Sequence, residues 1–183
     1  MKRASCRLIL FLLLGVSVNL PLQAANNAVL PTLRLQWDNT RKLILAIAEA
    51  IPEDKYDYKP APETRTFREQ LAHIASENHG FMGQFATKGS ADYHQFDHLK
   101  TRAELLKALA ESYDYGEKVM KGLTEEQAAE VMVFRGQQMP RWGVVISNIV
   151  DNMDHYGNLV VYFRLNKMVP PRTTFFQQQR QLR

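Results

Sequence analysis

Apolar residues recur at three- and four-residue intervals in four separate stretches of this chain, and that periodicity most restricts its fold. A repeat near 3.6 places them on one face of a helix, whereas a half-buried strand needs strict alternation. The first stretch predicts a helix from about Pro31 to Ala50, with Leu33, Trp37, Leu43, Ile44 and Ile47 facing inward. Pro31 suits a first helical turn, and Pro52 stops the run. The second helix opens on a capping box, Thr66 with Glu69, and runs to about Ala86, with a bend near Gly80 and Gly83. A second such box, Thr101 with Glu104, opens the third, from Arg102 to about Lys121, with Gly122 at its C′ position. The fourth runs from about Arg141 to Leu165 and carries Val144, Val145, Ile149, Val150, Leu159, Val160 and Phe163. Four helices of about twenty residues with modest connections predict an all-α fold, a four-helix bundle.

The connections are less regular. Residues 53–63 hold Tyr56, Tyr58, Pro60 and Pro62 and read as an ordered link. Residues 88–100 are polar and loop-like, and Thr124 with Gln127 suits the cap of a short helix. Around Gly136, residues 131–139 suggest a short extended hairpin. Pro170 and Pro171 close the domain, expected over residues 25–171, and residues 172–183 read as a polar, disordered tail.

The amino terminus predicts an address. Lys2, Arg3 and Arg7 precede an apolar run over 8–18, closed by Asn19 and Pro21 and followed by Ala24 and Ala25. This is the order of a secretory signal peptide, expected over 1–24 with cleavage after Ala24 or, alternatively, Ala25. An uncleaved anchor is the competing reading, but the run is short for a bilayer. The expectation is a periplasmic or secreted protein with no stable membrane anchor after cleavage. Removing three of the 23 Lys and Arg leaves 20 against 19 Asp and Glu, a net charge near +1 rather than +4. A near-neutral domain lacks the concentrated basic surface that nucleic acid needs. Cys6, the only cysteine, leaves with the leader, so no disulfide framework is built.

Bundles place metal sites between facing helices, with His, Cys or carboxylate as ligands. Asp151 and His155 are four residues apart, which puts both on one helical face about 5–6 Å apart at Cβ. His73 and Glu77 repeat that spacing on the second helix, and Asn148 and Asn158 extend the fourth helix's polar stripe. The candidate metal ligands are His73, Asp151 and His155. The plainer reading is a solvated helix face. Glu77 reads as a group behind the ligands, as a general base, or as an ordinary surface Glu, the last being the simplest. Asp154 points elsewhere. His94 and His98, with Asp92 and Asp97, offer at most an adventitious surface metal site, and His79 reads as a helix-end residue. Gly157 inside a helix costs about 1 kcal/mol relative to Ala and suggests close approach of a helix or ligand. Tyr156, Tyr162 and Arg164 read as packing and anchoring residues.

The segment from His155 through Tyr156, Gly157 and Asn158 to Pro170-Pro171 resembles the closing signature of the DinB/YfiT-like superfamily of metalloenzymes. The segment from Pro60 to Ala75, with His73 near its end, resembles that superfamily's helix-two signature, and Trp37-Asp38-Asn39-Thr40 fits its first helix. The resemblance implies a DinB-like four-helix bundle holding a divalent metal (zinc, nickel, manganese or iron) with three histidines. Two of them match His73 and His155; the third falls on Asp151, a departure that keeps a ligating group but lowers the site's charge by one. It also implies Gly where this chain has Lys167, so Lys167 or Asn166 is expected at positive φ. The implied function is a metal-dependent hydrolase or transferase acting on a small molecule. The alternatives are a non-catalytic metal- or ligand-binding bundle with a degenerate site, and a structural dimer with a vestigial polar core. Expected partners are a small-molecule substrate or ligand, with a homodimer possible.

Overall fold

The computed structural model describes residues 28–87 and 92–181. The expected leader over 1–24, with Cys6 and the cleavage point, lies outside the described residues. Four long helices form the bundle: α1 (Leu30–Glu49), α2 (Phe67–Thr87), α3 (Arg102–Lys121) and, after a short α4 (Glu125–Ala129) and a hairpin, α5 (Trp142–Leu165). The hairpin pairs β1 (Val131–Phe134) with β2 (Gln137–Pro140) antiparallel, Met132 opposite Met139. Its turn has Arg135 and Gly136 both at positive φ, +48° and +79°, as a tight two-residue connection requires. Helices α2 and α1 each pack on α3 and α5, which leaves α1 and α2 diagonal across the bundle.

Both predicted capping boxes on the long helices form. Thr66 Oγ1 accepts from the Glu69 N–H at 3.1 Å while Glu69 accepts from the Thr66 N–H at 2.7 Å, and Thr101 with Glu104 repeats the pattern. Thr124 with Gln127 caps α4 the same way. Helix α1 has no cap of its own and no acid in its first turn. Glu125 supplies both from a distance, its carboxylate accepting from the Val29 and Leu30 N–H groups at 2.9 and 3.1 Å. The opposite end of α2 is closed by Arg141, buried at the start of α5, which donates to the Phe85 and Ala86 carbonyls. Trp37, buried, ties α1 to α3 by donating Nε1–H to the Tyr113 carbonyl at 2.9 Å.

Some expectations fail. Of the tail expected to be disordered over 172–183, residues 172–181 belong to an eleven-residue helix, α6 (Pro171–Gln181), which starts at the second of the two prolines, and 182–183 lie outside the described residues. Pro170 supplies the carbonyl that receives the Thr173 and Thr174 N–H groups, and proline is well suited to a first turn. Gly122 is not left-handed but caps α3 at φ −83°. Among the described residues Gly157 has no atom within 4 Å of an added Cβ, so none of them approaches it closely. The expected strain at the end of α5 is present: Lys167 has φ +59°. The Met168 N–H reaches the Phe163 carbonyl and the Lys167 N–H the Arg164 carbonyl, both at 2.9 Å, which is a Schellman stop. Among the described residues no helix is long and apolar enough to cross a membrane.

Candidate metal centre

The site lies between α2 and α5. On α2, Gln70, Ile74, Glu77 and Phe81 recur at helical spacing and are all buried, so a carboxyl at position 77 is carried into the core. On α5, Asn148, Asn152, His155 and Leu159 make the facing stripe. Across that contact one ligand atom each from His73, Glu77 and His155 lies within 4.8 Å of the others. Glu77 sits between the imidazoles: Oε1 is 3.2 Å from His73 Nε2, and Oε2 is 3.1 Å from His155 Nε2. The two rings meet edge to face with centroids 4.9 Å apart.

Of the three residues nominated from sequence, the structure brings His73 and His155 together. Asp151 flanks them, its Oδ2 3.4 Å from His155 Nε2, while Glu77 completes the tight group in its place. The physical reason is angular. Asp151 lies one turn before His155, toward a hollow lined by Arg135, Ile146, Ser147, Val150 and Asp154, whereas Glu77 points straight across at α5. The missed signal was the run 70, 74, 77 and 81, which assigns Glu77 to the buried face of α2 rather than the surface.

Burial and contact set the charges. Burial opposes ionisation of Glu77, but hydrogen bonds from His155 and His73 outweigh it and hold the carboxyl far below the usual range. Burial raises Asp151, and the neighbouring Glu77 charge raises it further against the pull of His155. Burial would lower His155, but the Asp151 and Glu77 carboxyls that face it lift it to about 9. The arrangement is therefore an anionic Glu77 between imidazoles, with Asp151 the carboxyl that most readily holds a proton.

A cation fits these groups. Ligands about 2 Å from one ion lie no more than about 4 Å apart, so the observed separations require side-chain shifts of only about 1 Å. Asp151 Oδ2 is shielded from solvent yet accepts no directed hydrogen bond, an orphan acceptor on the site's edge. Access is from the His73 side, where a cleft of about 580 Å³ is bounded by the link over 57–66 and by His94, Asp97, Leu99 and Lys100.

The remaining nominees have structural roles. Asn148 is buried and donates to the Glu77 carbonyl at 3.2 Å, which fixes the backbone behind that carboxyl. Asn158 is exposed. His79 is not at a helix end but within α2, stacked flat on Tyr115 with centroids 4.6 Å apart. His94 is exposed and pairs with Asp97 at 2.8 Å, and His98 is not drawn into a ligand group among the described residues.

Comparison with known proteins agrees with this architecture. The uncharacterized protein YjoA of Bacillus subtilis strain 168 is 28% identical over 143 residues, covering 76% of this chain and 90% of that protein. A crystal structure of YjoA, a DinB-like protein, matches with TM-score 0.63 at 22% identity, over 75% of this chain and 93% of that one. A DinB-like protein from Bacillus cereus ATCC 10987 matches with TM-score 0.68 at 13% identity, over 77% and 95% of the two chains. These structural likenesses bear on the fold. Residues 36–159, more than half of the sequence, match the DinB superfamily itself, and the chain belongs to that superfamily.

Proposed function

We propose that this protein is an exported DinB protein that binds a divalent metal and uses it in hydrolysis or group transfer on a small molecule. The observation that carries the reading is the convergence of His73, Glu77 and His155 from two helices, with ligand atoms within 4.8 Å of one another. Those three would hold the ion, with Asp151 at its edge. When bound, the ion supplies a Lewis acid that lowers the pKa of a water or thiol or polarises a carbonyl. The chain's own contribution is to orient and to move protons. Asp151, its carboxyl raised from the ordinary value by burial, stands beside the ligands where it would exchange a proton at the site's edge. Asn148 and the buried face of α2 hold Glu77 in place. The cleft beside His73 sizes the substrate as a small molecule. The leader-like amino terminus supports action outside the cytoplasm, where a thiol cosubstrate is harder to supply, and this favours hydrolysis over thiol transfer.

The test is elemental analysis of protein purified from its native compartment without chelators or a histidine tag. The expected result is close to one divalent ion per chain, and an ion that chelation removes and titration restores. Metal-free protein that also takes up no zinc, nickel, manganese or iron would overturn the reading. A second reading, a non-catalytic bundle with a degenerate site, has its own support: Glu77 bridges both imidazoles, so these groups satisfy one another without an ion. Metal uptake without turnover of any ester, amide or thiol-acceptor substrate would favour it.

A further inference from the structure

We infer that Tyr162 and Gln70 fix which nitrogen of His155 faces the site, through a one-way hydrogen-bond chain that starts at the Arg65 carbonyl. Gln70 and Tyr162 are thereby positioning residues. The inference rests on the metal-binding reading only in naming Nε2 as the ligand atom.

The direction follows from counting protons. The Arg65 carbonyl can only accept, and Tyr162 Oη lies 2.7 Å from it, so the single phenolic proton goes there. Tyr162 Oη can then only accept from Gln70, whose amide lies 3.4 Å away, so the Gln70 –NH₂ must face Tyr162. That orientation turns Gln70 Oε1 toward His155 Nδ1 at 2.8 Å. An amide oxygen accepts and never donates, so Nδ1 must carry a proton. In the metal-free ring Nε2 also carries a proton, donated to Glu77 Oε2 at 3.1 Å with Asp151 Oδ2 3.4 Å away, and it is this proton, not the one on Nδ1, that a bound ion would replace. A ligating imidazole oriented through its other nitrogen is a general feature of metal sites.

Two observations make the chain rigid. Tyr162 is 3% exposed, Gln70 4% and His155 7%, so water has little room to reverse a link. The origin is also pinned. The Phe67 and Arg68 N–H groups donate to the Tyr58 and Tyr56 carbonyls, which clamps the backbone beside Arg65, and the rings of Phe67 and Tyr58 pack edge-on against Tyr162. The link over 53–66 thus sets the chemistry of a histidine about ninety residues later.

The experiment is nitrogen-15 NMR of the histidine side chains, first on metal-free protein, then with zinc alone. The wild type is expected to show His155 protonated at Nδ1, and zinc to attach at Nε2. Tyr162→Phe frees the amide to flip, so a population with Nδ1 unprotonated should appear and zinc affinity should fall by about tenfold or more. Gln70→Glu keeps the acceptor on Nδ1 and should retain its proton with zinc affinity no weaker than wild type, whereas Gln70→Met should lose both. A wild-type His155 with Nδ1 unprotonated, or a Tyr162→Phe protein with unchanged Nδ1 protonation and zinc affinity, overturns the inference. If Tyr162→Phe does not fold, the Gln70 pair decides, and equal Nδ1 protonation in Gln70→Glu and Gln70→Met overturns it. The metal-free spectrum stands apart from metal binding: if no zinc binds but Nδ1 is protonated and Gln70→Met scrambles it, the chain is upheld and the metal reading fails.

Discussion

Gly116 on α3 lies directly against Trp37 of α1, and replacing it with alanine tests how α1 is seated. An added Cβ would lie 2.3 Å from Trp37 Cζ2 and 2.7 Å from Cε2, far inside contact distance. Trp37 is 1% exposed, bonded through Nε1 to the Tyr113 carbonyl at 2.9 Å and packed on the Tyr113 ring at 5.1 Å, so it has nowhere to go. Gly116→Ala removes a helix-interior glycine, a gain of about 1 kcal/mol. Against that, overpacking a core costs about 1–3 kcal/mol, and loosening the indole bond costs about 1 kcal/mol more. The net expectation is a loss of about 1–3 kcal/mol. Gly157→Ala is the control, because nothing lies within 4 Å of its added Cβ, and it should gain about 0.5–1 kcal/mol. Urea unfolding followed by helical circular dichroism measures both, and tryptophan emission reports whether the indole has been displaced. A Gly116→Ala protein as stable as the wild type, with unchanged emission, would refute the seating of Trp37 against α3. A Gly157→Ala protein that loses stability would show that another surface covers that face.

Three further outcomes are expected. Lys167→Gly relieves a left-handed residue at a cost of about 1 kcal/mol but forfeits a helix-end cation of about 0.3–1 kcal/mol, so chemical denaturation should find it neutral or stabilised by up to about 1 kcal/mol; a clear loss contradicts the strain. Asp151→His places a third imidazole beside the pair and should tighten zinc or nickel binding in calorimetry; equal or weaker affinity leaves Asp151 outside the coordinating set. In metal-free protein, His155 is raised from 6.5 to about 9, so its contribution to stability is complete below pH 6.5 and is lost as pH rises through about 9. Melting temperature should fall over that window in the wild type and less in His155→Gln; parallel profiles contradict the pairing with Glu77 and Asp151.

The helices were legible in the sequence because their signals are local. Thr66 with Glu69 and Thr101 with Glu104 mark starts within a residue of the observed ones, since a cap depends on four neighbouring residues. The site was legible only where a residue type is rare: two histidines at bundle positions stand out, but one glutamate among many does not. Glu77 needed the burial of its whole face to be recognised. The long-range cap of Glu125 on α1 had no local trace, because its partners are 95 and 96 residues away in sequence. The tail misled for a different reason. Its glutamines suggest disorder, whereas the first-turn prolines and the Phe175–Phe176 pair favour an appended helix.

The candidate ligand set is unevenly distributed along the chain, and this has a consequence for folding. His73 and Glu77 are one helical turn apart, so α2 alone presents half a site as soon as it is helical. His155 lies 78 residues beyond Glu77 and arrives only when α5 docks. Closing so long a loop is a slow, late event, so a complete site exists only in the assembled bundle. An ion that prefers the complete site then draws the folding equilibrium forward by mass action, by about 2.7 kcal/mol at a hundredfold excess over its dissociation constant. The resistance of this protein to unfolding would then depend on the metal supply of the compartment in which it folds.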